Sequence, residues 1–387
     1  LPFPTVGEMR DWYIEKAHRA WSLYRKLDTV NESSRAFLLP AHLRERLGDY
    51  DTDIIVSKLE EIQSQIDEKT RELYGFDEAE YSDIEVTTES GDSDGLTTDV
   101  VEDDQDLSVI GVAGLLSWAV GVVFGRFDWR IATGEREVPP DPEPFDPLPT
   151  KSPGMLPDGD EPFHQHAGIL VDDPGHDHDL TALVQSVLEQ VDVPVPSDVH
   201  RWLQRDFFKE HLSQYSKSRR KAPIYWPLST PSGSYILWVY YPALTTQTLY
   251  TAINDFLEPK LKEIGDNTQA LRSKSARSAK EEKEFTQLQD LELELNELRE
   301  TILEIAKDYV PNHDDGVQIT AAPLWPLFQH KPWQKVLKDT WKKLEKGDYD
   351  WAHLAMNYWP DRVREKCKSD KSLAIAHDLE DLYSETL

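Results

Sequence analysis

Cysteine is almost missing from this sequence: of 387 residues, only Cys367 is one. A lone thiol cannot close an internal disulfide, which suits a reducing, cytoplasmic setting. Positive charge is the next shortage. Lys and Arg number 42 against 72 Asp and Glu, a formal charge of −30. Such a chain repels a polyanion at long range unless its cations are gathered locally. Nucleotide-binding loops are also missing. There is no Gly-x-Gly-x-x-Gly after a strand and no Gly-x-x-x-x-Gly-Lys-Ser/Thr, nor a Gly-x-Ser-x-Gly nucleophile elbow. An Asn/Asp-Pro-Pro-aromatic loop, which would hold an adenine amine, is absent. The nearest stretch, VPPDPEPF, lacks the leading Asn or Asp and the adjacent aromatic. No self-contained catalytic set remains, and Cys367 has no evident base.

What is there centres on Lys217 to Tyr241, KSRRKAPIYWPLSTPSGSYILWVYY. A basic run leads into an aromatic, β-prone run; a Pro/Gly/Ser break follows, then a second β-prone run. That pattern predicts a β-hairpin. The basic run is the clearest cationic point in the chain, and a phosphate backbone would be met there. Candidate nucleic-acid contacts are Lys217, Arg219, Arg220, Lys221 and Tyr225. The competing reading makes Ile224, Trp226, Leu237 and Val239 core and the basic run a solvated loop. A second candidate group is Lys335, Lys338 and Lys342. There, HKPWQKVLKDTWKKLEK predicts a helix with an aromatic-aliphatic inner face and a basic outer face.

The rest of the chain predicts an α+β, mainly helical protein. Residues 1–130 read as a helical region. Asp53 is a candidate N-cap and Gly75 a candidate stop for its second helix. Residues 76–106 carry thirteen Asp/Glu and no Lys or Arg, an insert expected to be disordered. Leu107 to Gly125 is uncharged for nineteen residues, the length of a membrane span. Its four Gly and two Ser, with no other span in the chain, favour a buried core helix. No membrane partner is expected.

Residues 131–165 form a Pro-rich linker, and 166–250 a β-containing recognition unit. Across this boundary, His164, His166, His176 and His178 lie among Asp172, Asp173, Asp177 and Asp179. They are weak metal candidates, since imidazole and carboxylate suit transition metals; a polar loop leading into a helix at Leu180 is the other reading. Residues 251–310 predict an antiparallel coiled-coil arm of helices 246–264 and 279–308. The seam of the second is Phe285, Leu288, Leu291, Leu295, Leu298, Ile302 and Ile305. Residues 311–387 predict a C-terminal helical lobe.

Several of these stretches carry a resemblance. RKAPIYWPLSTPSGSYILWVYY resembles a segment of the C-terminal, target-recognition region of adenine-specific DNA methyltransferases of phage-defence systems, the BREX (PglX-like) and DISARM type. LLSWAVGVVFGRFDWRIATGE and the stretch from His313 to Val363 are similar to further blocks of that region, and SDKSLAIAHDLEDLY to its end. Residues 1–75 look like the helical stretch before them. The resemblance implies a parent that methylates adenine N6 with S-adenosylmethionine, and places this chain after its catalytic domain. It implies double-stranded DNA, the catalytic domain and defence-system proteins as partners. The family's cofactor and catalytic motifs have no matching positions here, so this chain is expected to hold no cofactor. The chain starts at Leu1 without a signal pattern, which reads as a piece of something longer. The alternative function is a protein-interaction scaffold within such a defence complex.

Overall fold

The computed structural model describes residues 9–48, 50–74, 107–147, 149–217 and 220–384. The acidic insert at 76–106, Gly75 and Arg219 lie outside them. The chain divides into two units, one of residues 1–119 and 126–160, the other of 120–125 and 161–387. The recognition unit, arm and lobe named from the sequence all fall in the second.

In the first unit, α1 (Arg10–Asp28) packs against α3 (Thr52–Tyr74), with α2 (Ala41–Arg46) between them in the chain. The start of α3 is set by Asp51, whose carboxylate accepts the Ile54 N–H at 3.0 Å. Asp53, the cap suggested by the sequence, instead sits in the first turn. The uncharged run forms α4 (Leu107–Val123), buried from Leu115 onward. It is a core helix, as its glycines suggested. Among the described residues, no helix is long and apolar enough to cross a membrane.

The Pro-rich stretch to Asp160 is fastened down within this unit. Gly154 N–H donates to Phe37 O at 2.9 Å, and Leu156 N–H to Arg126 O at 3.0 Å. Asp128 is fully buried and pairs with Arg130 at 2.7 Å and Arg136 at 2.9 Å. Burial alone would raise its pKa, but the hydrogen bonds from these guanidinia outweigh that and hold it below the usual value. A buried carboxylate needs such partners, since desolvation without them costs several kcal/mol.

The second unit is built on a three-stranded antiparallel sheet of order β1-β5-β4: β1 Ile169–Asp172, β4 Tyr225–Ser229 and β5 Ile236–Tyr240. β4 and β5 are the hairpin expected from the sequence, in register from Tyr225↔Tyr240 to Ser229↔Ile236. β1 was not expected and pairs Ile169 with Val239 through Asp172 with Ile236. Nearly every residue of the sheet is buried, which requires cover on both faces. Pairing places Tyr225, Trp238 and Tyr240 on one face, under Phe207 and Phe124. Trp226 points to the other, toward Tyr241 and Phe328. Helix α5 (Leu180–Gln190) packs beside β1, capped by Asp179, which accepts the Thr181 N–H.

The path from Val199 to Gln214 is helical with a π segment at Leu203–Phe207, and ends in α6 (Phe208–Gln214). A second, two-stranded sheet, the basic ladder of β2 (Ser216–Lys217) with β3 (Arg220–Lys221), follows. The arm is an antiparallel helical hairpin of α7 (Glu258–Arg272) and α8 (Ala279–Ala306). Arg299 meets Glu258 at 3.2 Å, while Lys274 meets Glu281 at 2.6 Å at the other end. The first arm helix runs eight residues past the expected end at 264, because Gly265 weakens a helix without breaking it. Leu295, Leu298 and Ile302 of the seam are buried, whereas Phe285, Leu288 and Leu291 are half-buried. The hairpin tip leans on this arm: Ser232 Oγ donates to Glu294 at 2.5 Å. Helix α9 (Lys331–Lys346) leads a series of short helices to the end of the described chain.

Candidate nucleic-acid interface

The basic ladder hangs from the C-terminal end of α6. Ala222 N–H donates to Tyr215 O at 3.0 Å, and the Ser216 hydroxyl donates to Leu212 O. His211, buried on α6, accepts the Ile224 N–H at Nε2, 2.9 Å away. These bonds fix where the ladder hands over to β4. Lys217 and Arg220 are exposed and Lys221 is half-buried. Among the described residues, no carboxylate lies within ion-pair range of these three.

The second basic run is α9. Trp333 and Leu337 are fully buried, with Thr340 and Leu344 on the same side. Lys331, Lys335, Lys338 and Lys342 recur at three and four residues, so they form one exposed stripe. The helix has sixteen residues, about 24 Å at 1.5 Å per residue. Its N-cap is His330, whose Nδ1 accepts the Trp333 N–H at 3.4 Å. The Phe208 ring stands edge-on to His330 at 5.5 Å.

These two runs, distant in sequence, share a corner. Burial pushes the His330 pKa down, and the charges of Lys221 and Lys209 push it further. Lys221 comes from β3 and Lys209 from the exposed side of α6. The charges of Lys209 and Lys221 thus reach one imidazole, with Lys331 next to it in sequence as the first residue of α9 and Lys217 and Arg220 on the adjoining ladder. Lys209 and His330 were not singled out by the sequence. A lone Lys beside two Phe residues carries no pattern, and a single His before a Lys-Pro pair reads as a loop.

Tyr225 does not join this surface. It is fully buried, stacked on Phe124 at 4.9 Å and on Tyr240 at 5.4 Å. Strand alternation turns its ring into the sheet's covered face, so it offers no face to a base. The competing core reading holds for Trp226, Leu237 and Val239, which are buried, while Ile224 is half-buried, alongside an exposed basic ladder.

The four histidines do come together. His164 Nε2 lies 2.7 Å from His178 Nδ1, and the His176 and His178 rings are 5.6 Å apart. One nitrogen of each ring is engaged, with another imidazole or with the backbone. His166 Nδ1 accepts the Gly168 N–H at 2.9 Å, and His176 Nδ1 accepts the His178 N–H at 3.0 Å. Among the described residues, no three His, Cys, Asp or Glu side chains converge to hold a metal ion. No protein-family model matches the chain, and no curated protein matches it.

Proposed function

We propose that this chain is a non-catalytic, duplex-DNA-binding part of a larger S-adenosylmethionine-dependent adenine methyltransferase of a phage-defence system. The resemblance of its sequence blocks supports the family, and the cofactor and chemistry belong to the catalytic part of that parent. The observation that carries DNA binding is the corner where Lys209, Lys221 and Lys331 gather beside Lys217 and Arg220. In a chain of charge −30, cations brought near one another from β3, α6 and the start of α9 are what a phosphate backbone needs.

The test is fluorescence anisotropy of a labelled duplex with the chain and a Lys209→Glu, Lys217→Glu, Lys221→Glu variant. All three positions are at least partly exposed, so the fold is kept. The variant is expected to lose most of the binding at low salt. Equal binding by both proteins overturns the reading.

A second reading, an interaction scaffold, is favoured by Phe145. Its side chain is 91% exposed on the Pro-rich stretch, or strap, between Glu143 and Asp146. Pull-down by the parent's catalytic region, with and without Phe145→Asp, decides whether that ring is a docking point.

A further inference from the structure

Beside the lysine stripe of α9 runs a border of aromatic rings that phosphate binding does not use. The Trp325 ring lies under Lys338, whose Nζ is 4.5 Å from its centroid. Trp341, on α9 itself, packs 5.0 Å from Tyr358 and 5.4 Å from Trp359. All four rings are half-buried, so part of each stays exposed. Toward the other end of the helix, Lys343 Nζ stands 5.8 Å from the Tyr349 centroid, and Tyr349 lies 6.2 Å from Trp351. Trp351 is 47% exposed.

Helix geometry sets these groups on either side of the stripe. At about 100° per residue, Trp341 falls on one flank of Lys335, Lys338 and Lys342, and Lys343 with its Tyr349 on the other. Rings needed only for packing are covered, as Trp333 on the same helix is, at 0% exposed. These rings keep surface in reach of solvent, next to cations. From Lys331 to Lys346 the helix carries six Lys against Asp339 and Glu345, so it stays positive despite two acids on the exposed side.

Cations alternating with reachable rings match one class of ligand better than any other. An unpaired nucleic-acid strand gives phosphates to the lysines and free base faces to the rings. A duplex hides its base faces in the stack and gains nothing from the rings. An acidic peptide would use the lysines alone. We infer that α9 and its aromatic border bind an unpaired nucleic-acid strand. This rests on the nucleic-acid reading of the chain, but on Lys335, Lys338, Lys342 and the rings beside them, which lie outside the hairpin corner.

The experiment follows tryptophan fluorescence of the whole chain during titration with short oligo(dT), while anisotropy tracks a labelled duplex in parallel. Oligo(dT) is expected to quench the fluorescence. Trp351→Ala and Trp325→Ala are each expected to weaken oligo(dT) binding by about tenfold, the size of one stacked base, and to leave duplex binding unchanged. Trp351 is half open to solvent, so its loss spares the fold; circular dichroism checks this.

Unchanged oligo(dT) affinity in both variants overturns the inference. So does poly-glutamate binding as tightly as oligo(dT), since the rings would then be idle. Duplex binding without oligo(dT) binding overturns this inference and leaves the hairpin corner standing. Oligo(dT) binding without duplex binding supports it and overturns the corner.

Discussion

Gly168 donates its backbone N–H to Nδ1 of His166 at 2.9 Å, which commits that nitrogen to accepting. A protonated imidazole has no lone pair left to accept with, so the fold favours the neutral ring. Burial pushes the His166 pKa down to about 4, helped by the neighbouring His164, against the pull of the Phe124 and Val123 carbonyls. The folded value lies below the unfolded one, so the unfolded chain takes up the proton first. The stability from this ring is therefore complete above about pH 6.5 and is lost as pH falls toward 4. The loss is about 1–3 kcal/mol, at roughly 1.4 kcal/mol per unit and discounted for partial exposure. His166→Asn keeps an acceptor near the same place and cannot titrate there. Urea midpoints at pH 7 and 4.5 should differ less in the variant than in the parent; an equal difference sinks this account.

Gly154 sits where no side chain fits. A Cβ there would lie 2.2 Å from Leu38 O, a backbone atom that cannot swing away. Both neighbouring amides are in use, since Gly154 N–H donates to Phe37 O and its carbonyl accepts the Asp128 N–H at 3.0 Å. Gly154→Ala must therefore move the strap or the 37–38 segment, at a cost of about 2–3 kcal/mol or more. The expected readout is a lower thermal midpoint for the first unit. An unchanged midpoint would mean the strap is looser than these bonds imply.

The β4–β5 hairpin was legible because two runs of aromatic and branched residues flank Thr230–Ser234, a break that only a turn accommodates. β1 was not, because Ile169, Leu170 and Val171, between a His pair and an Asp/His run, read as part of a polar loop. Its strand character comes from pairing with β5, a contact distant in sequence. The basic run was legible as charge, and its meeting with α9 was not, since nothing local to Lys221 announces His330. Tyr225 misled because an aromatic next to Lys221 looks like a stacking partner, whereas alternation along β4 turns it inward. Gly265 misled in the same local way, as a helix end.

That last error yields a prediction of its own. Gly265 lies inside α7 with no heavy atom within 4 Å of where a Cβ would go. Gly265→Ala is expected to stabilise the arm by about 0.5–1 kcal/mol, the usual helix-interior gain. Slower amide exchange along 258–272 is the measurement. Faster exchange would show that the glycine serves a bend.

His330 links the DNA reading to pH. Its pKa is lowered by burial and by Lys221 and Lys209. A phosphate seated among those lysines offsets their charge, so the imidazole takes up a proton more readily in the complex than in the free chain. Affinity should then rise as pH falls below about 6.5, because the bound state holds the higher pKa. His330→Asn keeps an N-cap acceptor for α9 and removes the proton site. Duplex Kd at pH 7.5 and 5.5, at constant salt, should change more for the parent than for the variant. The same change in both would place the phosphate elsewhere.

Lys209 gives the sharpest test of the corner, because only the folded chain nominates it. It is exposed on α6, next to buried Phe208, so Lys209→Ala removes a charge without opening the core. If Lys209 neutralises one phosphate, the plot of log affinity against log salt should become shallower by about 0.9. Lys221→Ala should give the same change, since both act on His330 from opposite elements. The double variant should lose about twice that slope, as two separate phosphate contacts add. A Lys209 variant with the parent's slope, beside a Lys221 variant with a reduced one, would confine the DNA to the ladder. The corner would then be a crowding of like charge with no ligand to relieve it.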